Sequence, residues 1–533
     1  MTGETTTGAG TLIRLILRRD RVLLPLWTFV LAMLPLSYLA AMAGLFDTDA
    51  ERAQYATSTA ANAADLAMVG PVFGDSVGAL GAWRCGVVYV LLALASLLTV
   101  VRHTRAEEEA GRRELAGAGV LGRHAPITAA LAVVLGANVL LGLIVAFGIQ
   151  TDDRAGAVAL GVALAAHGAF FAAVGAVAAQ LTPTAPGARW IAVGVLGISY
   201  LLRAAGDSGG AGNGLEWLSW LSPTGLAQRV QPFAGERWWP ALLLLGAGLL
   251  LVLAAYALSA RRDIAAGLLP ERLGRAEAAR SLRTPVALAW RLHRGALIGW
   301  TVGYLVAGAA FGGAARSASD QMSTNANLEE ILARIGGTSS LDDAFLASTI
   351  AIMGLIASAF GIQAALRLRA EEESGRAEPL LATGVSRVGL LGSHLLFALL
   401  GPAVALLAHG LTSGFVFGAA TGDVAGQIAR MVGAAAAQLP AVWLVTAIAV
   451  ALFGLLPRLA AVAWGILVAC LLLGQVGAVL RLDQRLLDVS PYTHLPHLPG
   501  GDVSVPTLLT LSAIAVLLLA AGTLGWRRRD LTG

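Results

Sequence analysis

A ten-residue charged segment occurs twice in the chain, about half its length apart. It reads RAEEEAGRRE over residues 105–114 and RAEEESGRAE over residues 369–378. Each copy follows a long apolar segment and precedes another. Such a polar helix between membrane spans is a candidate surface for a soluble partner. The residues that the two copies share are Glu107, Glu108, Glu109, Gly111, Arg112 and Glu114 in the first copy, and Glu371, Glu372, Glu373, Gly375, Arg376 and Glu378 in the second.

Within each copy, Glu precedes Arg by four residues. The pairs are Glu108 with Arg112, Glu109 with Arg113, and Glu372 with Arg376. This spacing stabilises a helix that faces water. A solvated loop helix without a partner would explain the pairing alone. The agreement between the copies, residue by residue, favours a docking surface.

Uncharged polar residues also lie inside the apolar segments. Groups of this kind can line a transport path, and they also form hydrogen bonds between packed helices. Both interpretations stay open, and for each residue the second is the more common case. The six are Asn138, His167, Gln363, His409, Gln438 and Gln475.

The sequence predicts neither catalysis nor a bound cofactor. No span carries metal-ligand spacing such as H-E-x-x-H or a Ser/His/Asp set, and Cys85 and Cys470 suit packing more than a disulfide or a metal. The chain contains no lysine, and a standard P-loop needs one to reach the phosphates of ATP. If ATP drives this protein, we expect ATP and Mg to bind another polypeptide. The net charge of +4 reflects Arg at span ends and does not indicate nucleic acid.

Composition predicts the elements that position these residues. The 533 residues are 57% hydrophobic and 13% charged, with a mean hydropathy of +0.73, whereas soluble proteins carry about 25% charged residues. The chain is therefore predicted to be an all-α polytopic membrane protein. Twelve segments reach the length of about 20 residues that a helix needs to cross a bilayer. They are approximately 22–45, 82–101, 127–150, 157–181, 188–205, 240–260, 295–314, 346–366, 388–416, 428–456, 459–480 and 507–526.

The Arg residues predict the orientation. Most of them lie before the first span or after the second, sixth, eighth and twelfth spans, and few lie elsewhere. Because cytoplasmic loops carry the excess of positive charge, we expect a multi-pass protein of the cell membrane with both termini in the cytoplasm.

The two halves of the chain share several short sequence motifs, which indicates an internal repeat. Asp153-Arg154-Ala155-Gly156 matches Asp423-Val424-Ala425-Gly426, and Ser222-Pro223 matches Ser490-Pro491. We expect two six-span halves, 1–263 and 287–533, in parallel topology, joined by a cytoplasmic linker at 264–286. Amphipathic segments at 12–19 and 286–292 predict an interfacial helix at the start of each half.

Six spans per half, the interfacial segment and the acidic motif together resemble type-2 ABC exporter permeases. More closely, the chain resembles actinobacterial exporter permeases for polyketide antibiotics and drugs, including the tetronasin-resistance type. The resemblance implies that each acidic motif is a coupling helix, which docks on one of two copies of an ABC ATPase subunit. It further implies export, and the largely apolar, uncharged spans favour hydrophobic or amphiphilic compounds as cargo. Pro379 replaces Leu115 after the second copy, so the two docking angles can differ.

Two other classes remain as alternatives. An ion-coupled secondary transporter could have two parallel halves, but proton coupling usually needs intramembrane carboxylates, and none lies in the twelve segments. His167 and His409 keep this alternative open. An intramembrane enzyme or a scaffold that transports nothing is the third class, and the absence of catalytic spacing argues against the enzyme.

Overall fold

A computed structural model of the chain describes residues 5–46, 48–111, 121–208, 214–263, 266–269, 277, 282–322, 341–476 and 483–530. The chain divides into two compact units, residues 1–273 and 274–533. The boundary between them falls within 264–286, most of which lies outside the described residues. No β-strand occurs in the described part of the chain.

The first unit consists of helices that are mostly apolar around their whole circumference, as buried and membrane-crossing helices are. In chain order they are α1 (Ala9–Arg19), α2 (Leu23–Leu45), α3 (Asp49–Ala60), α4 (Ala63–Met68), α5 (Val77–Arg84), α6 (Gly86–His103), α7 (Arg105–Glu109), α8 (Ala125–Gly148), α9 (Arg154–Leu181), α10 (Ala185–Asp207), α11 (Trp217–Leu221), α12 (Pro223–Gln228) and α13 (Trp239–Arg261).

The second unit has the same character. Its α-helices are α14 (Pro285–Met322), α15 (Leu341–Ala365), α16 (Arg367–Glu373), α17 (Ala377–Ala382), α18 (Arg387–Thr421), α19 (Val424–Ala437), α20 (Leu439–Leu455), α21 (Val462–Val476), α22 (Gln484–Leu487) and α23 (Val505–Arg528). Two short 3₁₀ turns, Pro457–Leu459 and Pro491–His494, complete the described elements.

Eleven helical segments in the described residues are long and apolar enough to cross a membrane. This confirms a polytopic, all-helical membrane protein. The span expected at 459–480 corresponds to α21, whose apolar part is shorter, Val462–Gly474. Residues 477–482 lie outside the described residues, so the span at 459–480, the eleventh in chain order, stays a prediction.

The sequence matches between the halves correspond to matching helix starts. Asp153 caps α9 by accepting a hydrogen bond from the Gly156 amide at 2.9 Å, and Asp423 caps α19 by accepting one from the Gly426 amide at 3.0 Å. Ser222 and Ser490 likewise cap the turns that follow them. A side-chain oxygen satisfies an amide that has no partner within the first helical turn. The repeated D-x-x-G therefore repeats a capping structure.

The two interfacial segments fold differently, and the expectation of a separate helix at 286–292 is wrong. In the first unit, α1 ends before Asp20, whose buried carboxylate contacts His103 Nε2 at 2.6 Å and Arg102 at 3.0 Å. In the second unit, residues 286–292 are the first turns of the uninterrupted 38-residue helix α14. The Asp20 side chain is thus held by α6 at the point where α1 stops. No acidic residue occupies 285–300, and there the helix continues.

At the other end of the first unit, Arg203 and Arg84 lie near the ends of their helices and bind groups of the protein. Arg203 is 1% exposed and donates to the carbonyl oxygens of Leu66, Ala67 and Met68 at the end of α4. Arg84 donates to the Tyr55 hydroxyl. Nearby, burial raises the pKa of the Asp65 carboxyl, although Arg84 opposes the shift. Both Arg side chains therefore hold the small helices α3 and α4 against the spans.

Candidate functional site

Each acidic motif continues the helix of the preceding span. In the first unit α7 follows α6 after a single residue, and two residues after its end lies Gly111, which has a φ of 69°. In the second unit α16 follows α15 in the same way, and two residues after its end lies Gly375, with a φ of 70°. Left-handed backbone favours glycine because other residues have a Cβ that clashes there. The shared glycine thus ends both motif helices with the same turn. Arg112 and Glu114 lie outside the described residues.

The central carboxylate of the first motif is buried in an ion pair. Glu108 Oε1 and Oε2 each accept a hydrogen bond at 2.8 Å from the two terminal nitrogens of Arg262, which directly follows α13. The Glu108 and Arg262 side chains are only 3% and 5% exposed. A second buried guanidinium, that of Arg105, lies 3.2 Å from Glu108.

The second motif repeats this arrangement. Glu372 accepts hydrogen bonds from both terminal nitrogens of Arg529 at 2.8 Å and 2.6 Å, and Arg529 directly follows α23. The Glu372 side chain is 4% exposed. Arg376, the predicted partner of Glu372, donates to Glu371 at 2.6 Å. The prediction considered neighbours along the chain, whereas Glu372 also binds an arginine at the end of another helix.

The remaining carboxylates of the first motif also bind within their own unit. Glu107 lies 2.5 Å from Arg19 at the end of α1. Glu109 accepts a hydrogen bond at 2.7 Å from the amide of Ala185, the first residue of α10, where the helix dipole favours a negative charge. The expectation of a water-facing acidic helix is therefore wrong for the buried Glu108, whereas Glu109 is exposed.

The second motif combines buried and exposed groups. Glu371 is largely buried between Arg367 and Arg376. Glu373 is 58% exposed and pairs with Arg369 on its own helix at 2.7 Å. Gly375, Arg376, Glu378 and Pro379 are exposed as well, and a side chain at Gly375 would meet nothing within 4 Å. We call Glu373, Gly375, Arg376, Glu378 and Pro379 the exposed motif surface.

The polar residues within the spans do not form one site. Asn138 exchanges hydrogen bonds with Ser96 at 3.1 Å, and Gln363 accepts one from the Trp300 indole at 3.0 Å. These two join helices, as the more common interpretation expects.

The two span histidines are fully buried among aromatic rings. His167 lies edge-on to Tyr89 and Phe171, with ring centroids 5.3 Å and 4.9 Å away. His409 lies 6.2 Å from each of the rings of Tyr304 and Phe311. Packing accounts for both positions.

Two glutamines remain. Gln438 is buried at the break between α19 and α20, next to Gly354. Gln475 lies near the end of α21. An open groove of about 440 Å³ borders α19, and its lining includes Arg430, Leu498 and Val503 but none of the six span residues.

Comparison with known proteins gives the class of the chain. A multidrug efflux system permease protein of Mycobacterium tuberculosis, Rv1217c, is 46% identical over 532 residues, which is 99% of this chain and 96% of that protein. The family model for the C-terminal domain of that permease matches residues 282–527. The chain belongs to this family of efflux system permeases.

The comparison bears on the resemblance drawn from the motifs. It confirms that the permease belongs with multidrug efflux permeases, and the closer likeness to the tetronasin-resistance type stays a prediction. The matched domain model includes the whole second motif and α23 up to Arg527.

Sequence reasoning missed the residues that bind the motifs. Arg262 and Arg529 entered it only as positive charges that set the orientation. Their position was nevertheless a signal, since each lies within three residues of the end of the last predicted span of its half. In each half, the central carboxylate of the motif pairs with an arginine that follows the last span.

Proposed function

We propose that the permease is the membrane subunit of an ATP-driven ABC exporter. Two copies of a separate ATPase subunit would bind ATP and Mg and dock on the two motif regions, and this chain would bind no cofactor itself. The observation that carries the proposal is the motif helix, held at the same place in each unit by a buried carboxylate. A docking element needs such support in order to transmit force.

The substrate class follows from the relative and from the character of the spans. The relative is named for multidrug efflux, and the apolar spans contain only scattered, mostly packed polar groups. Hydrophobic or amphiphilic compounds are therefore the proposed cargo. The exposed motif surface carries both charges, Glu373 and Glu378 with Arg376, and suits a partner of mixed charge more than a uniformly basic one.

An ion-coupled secondary transporter remains the second candidate. The buried His167 and His409 are the groups that could carry a proton. Their aromatic surroundings and the lack of carboxylates within the predicted spans weigh against a relay. Export that continues after ATP depletion, and that collapses with the proton gradient, would favour this candidate.

The isolated permease is expected to hydrolyse no ATP, because the chain lacks the lysine of a P-loop. Co-expressed with its ATPase subunit, the permease should purify as a complex with two copies of that subunit, which native mass spectrometry can count. Sustained ATP hydrolysis by the isolated chain would contradict the proposal. So would substrate export from vesicles that contain the permease without any ATPase.

The motif regions and both chain ends are expected on the cytoplasmic side. The buried Cys85 and Cys470 are first replaced by Ala, and single cysteines are then introduced as Asp152→Cys or Glu373→Cys; both of these positions are exposed. In intact cells an impermeant maleimide should label position 152 and should reach position 373 only after lysis. Labelling of position 373 in intact cells would reverse the orientation.

A further inference from the structure

The buried ion pair is the feature that the two motif regions share most closely, although its surroundings differ. In the first unit Arg262 also donates to the Gln180 side chain at 2.8 Å and to the Ala266 carbonyl at 2.9 Å. In the second unit Arg529 packs instead over the rings of Trp526 and Phe453, at 4.7 Å and 5.0 Å. The same two-pronged contact thus persists in two different settings.

A second contact joins the residues that follow each motif to the end of the last span of the same unit. Arg123, just before α8, donates to the carbonyl oxygens of Ser259 and Arg262, at 3.0 Å and 2.5 Å. Arg387, at the start of α18, donates to the carbonyl oxygen of Arg529. The loop that carries the motif is therefore fastened, before and after, to the end of the last span of its own unit.

This fastening has a mechanical consequence. A guanidinium bound to a carboxylate through two parallel hydrogen bonds has a fixed geometry, and burial protects the contact from screening by salt. A displacement of α7 would therefore move the end of α13, and a displacement of α16 would move the end of α23. A single flexible contact on the surface could not transmit such a displacement.

We propose that Arg262 and Arg529 are positioning residues that couple each motif helix to the last span of its unit, through Glu108 and Glu372. The partner's push on the motif would thereby reach α13 and α23 and not only the span that carries the motif. This inference rests on the proposed docking function, and it assigns the buried pairs to transmission and the exposed motif surface to contact.

The test compares two neighbouring arginines in each unit. Arg262→Ala and Arg529→Ala remove the guanidinium that pairs with the buried carboxylate, whereas Arg261→Ala and Arg528→Ala remove an exposed one of the same charge. For each variant three quantities are measured: the amount in the membrane, the ATPase recovered with it, and the substrate exported per ATP hydrolysed. We expect wild-type ATPase recovery and about a tenfold loss of export per ATP for the two paired arginines, a size typical of coupling between sites. The exposed controls should behave as wild type.

If Arg529→Ala does not accumulate, Arg529→Lys decides the question. Lysine keeps the charge but lacks the two-pronged contact, so reduced export per ATP at normal abundance would support the proposal. Wild-type export by this variant, or by both Ala variants, would overturn it. Loss of ATPase recovery in a folded variant would also overturn it, because the pair would then form the docking surface itself. Failure of the proposed function looks different, since the wild-type permease would then recover no ATPase.

Discussion

Reversing two charges on the exposed motif surface, Glu373→Arg together with Glu378→Arg, is expected to release the ATPase and abolish export. Both side chains are exposed, and Glu373 pairs with Arg369 of its own helix at 2.7 Å. Like charges that meet across an interface cost several kcal/mol, and a loss of about 3 kcal/mol weakens binding roughly a hundredfold. Recovery of the ATPase with affinity-purified permease measures the effect.

Neighbouring carboxylates supply the controls. Glu372→Arg places a buried positive charge against Arg529, and breaking a buried pair costs about 3–5 kcal/mol of stability. We therefore expect Glu372→Arg to lower the amount of folded permease, whereas the exposed double variant should accumulate normally. Reversing Glu371, Glu372 and Glu373 together would mix the two effects. Normal ATPase recovery and normal export by the exposed double variant would mean that this surface does not dock the partner.

Gly142→Leu is expected to separate α8 from α9 and to destabilise the first unit. A Cβ at Gly142 would lie 2.6 Å from the carbonyl oxygen of Gly161, and one at Gly161 would lie 2.3 Å from that of Gly142. Membrane helices pack this closely only where both residues are small. Because backbone on both sides cannot move aside as a side chain can, we expect a loss of about 3 kcal/mol, at the upper end of the usual cost of overpacking.

Gly136→Leu on the same helix is the matched control. A Cβ at Gly136 would meet nothing within 4 Å, and replacing Gly in a helix contributes about 0.8–1.0 kcal/mol of helix propensity in both variants. Thermal unfolding in detergent should show a lower midpoint for Gly142→Leu and an unchanged or higher one for Gly136→Leu. Equal midpoints would contradict the close approach of the two helices.

The sequence predicted the fold well where the physical constraint is local. A span needs enough apolar residues in a row, and a polar segment cannot remain in lipid, so hydropathy located the eleven long helical segments. The repeated D-x-x-G also marked real helix starts at Asp153 and Asp423. The second interfacial helix was mistaken, because amphipathic composition alone does not show whether a helix stops before the span. The buried contacts of Asp20 mark that stop in the first unit.

By itself, the sequence determined that this protein crosses the membrane many times, that it lacks a P-loop lysine, and that an acidic motif recurs after corresponding spans. These are properties of composition and of repetition along the chain. Only the tertiary structure decided which motif carboxylates face water. Glu108 and Arg262 are 154 residues apart, and Glu372 and Arg529 are 157 apart. Rules based on the spacing of residues along the chain predict contacts within about one helical turn. These partners meet because the end of the last span of each unit lies beside the motif helix.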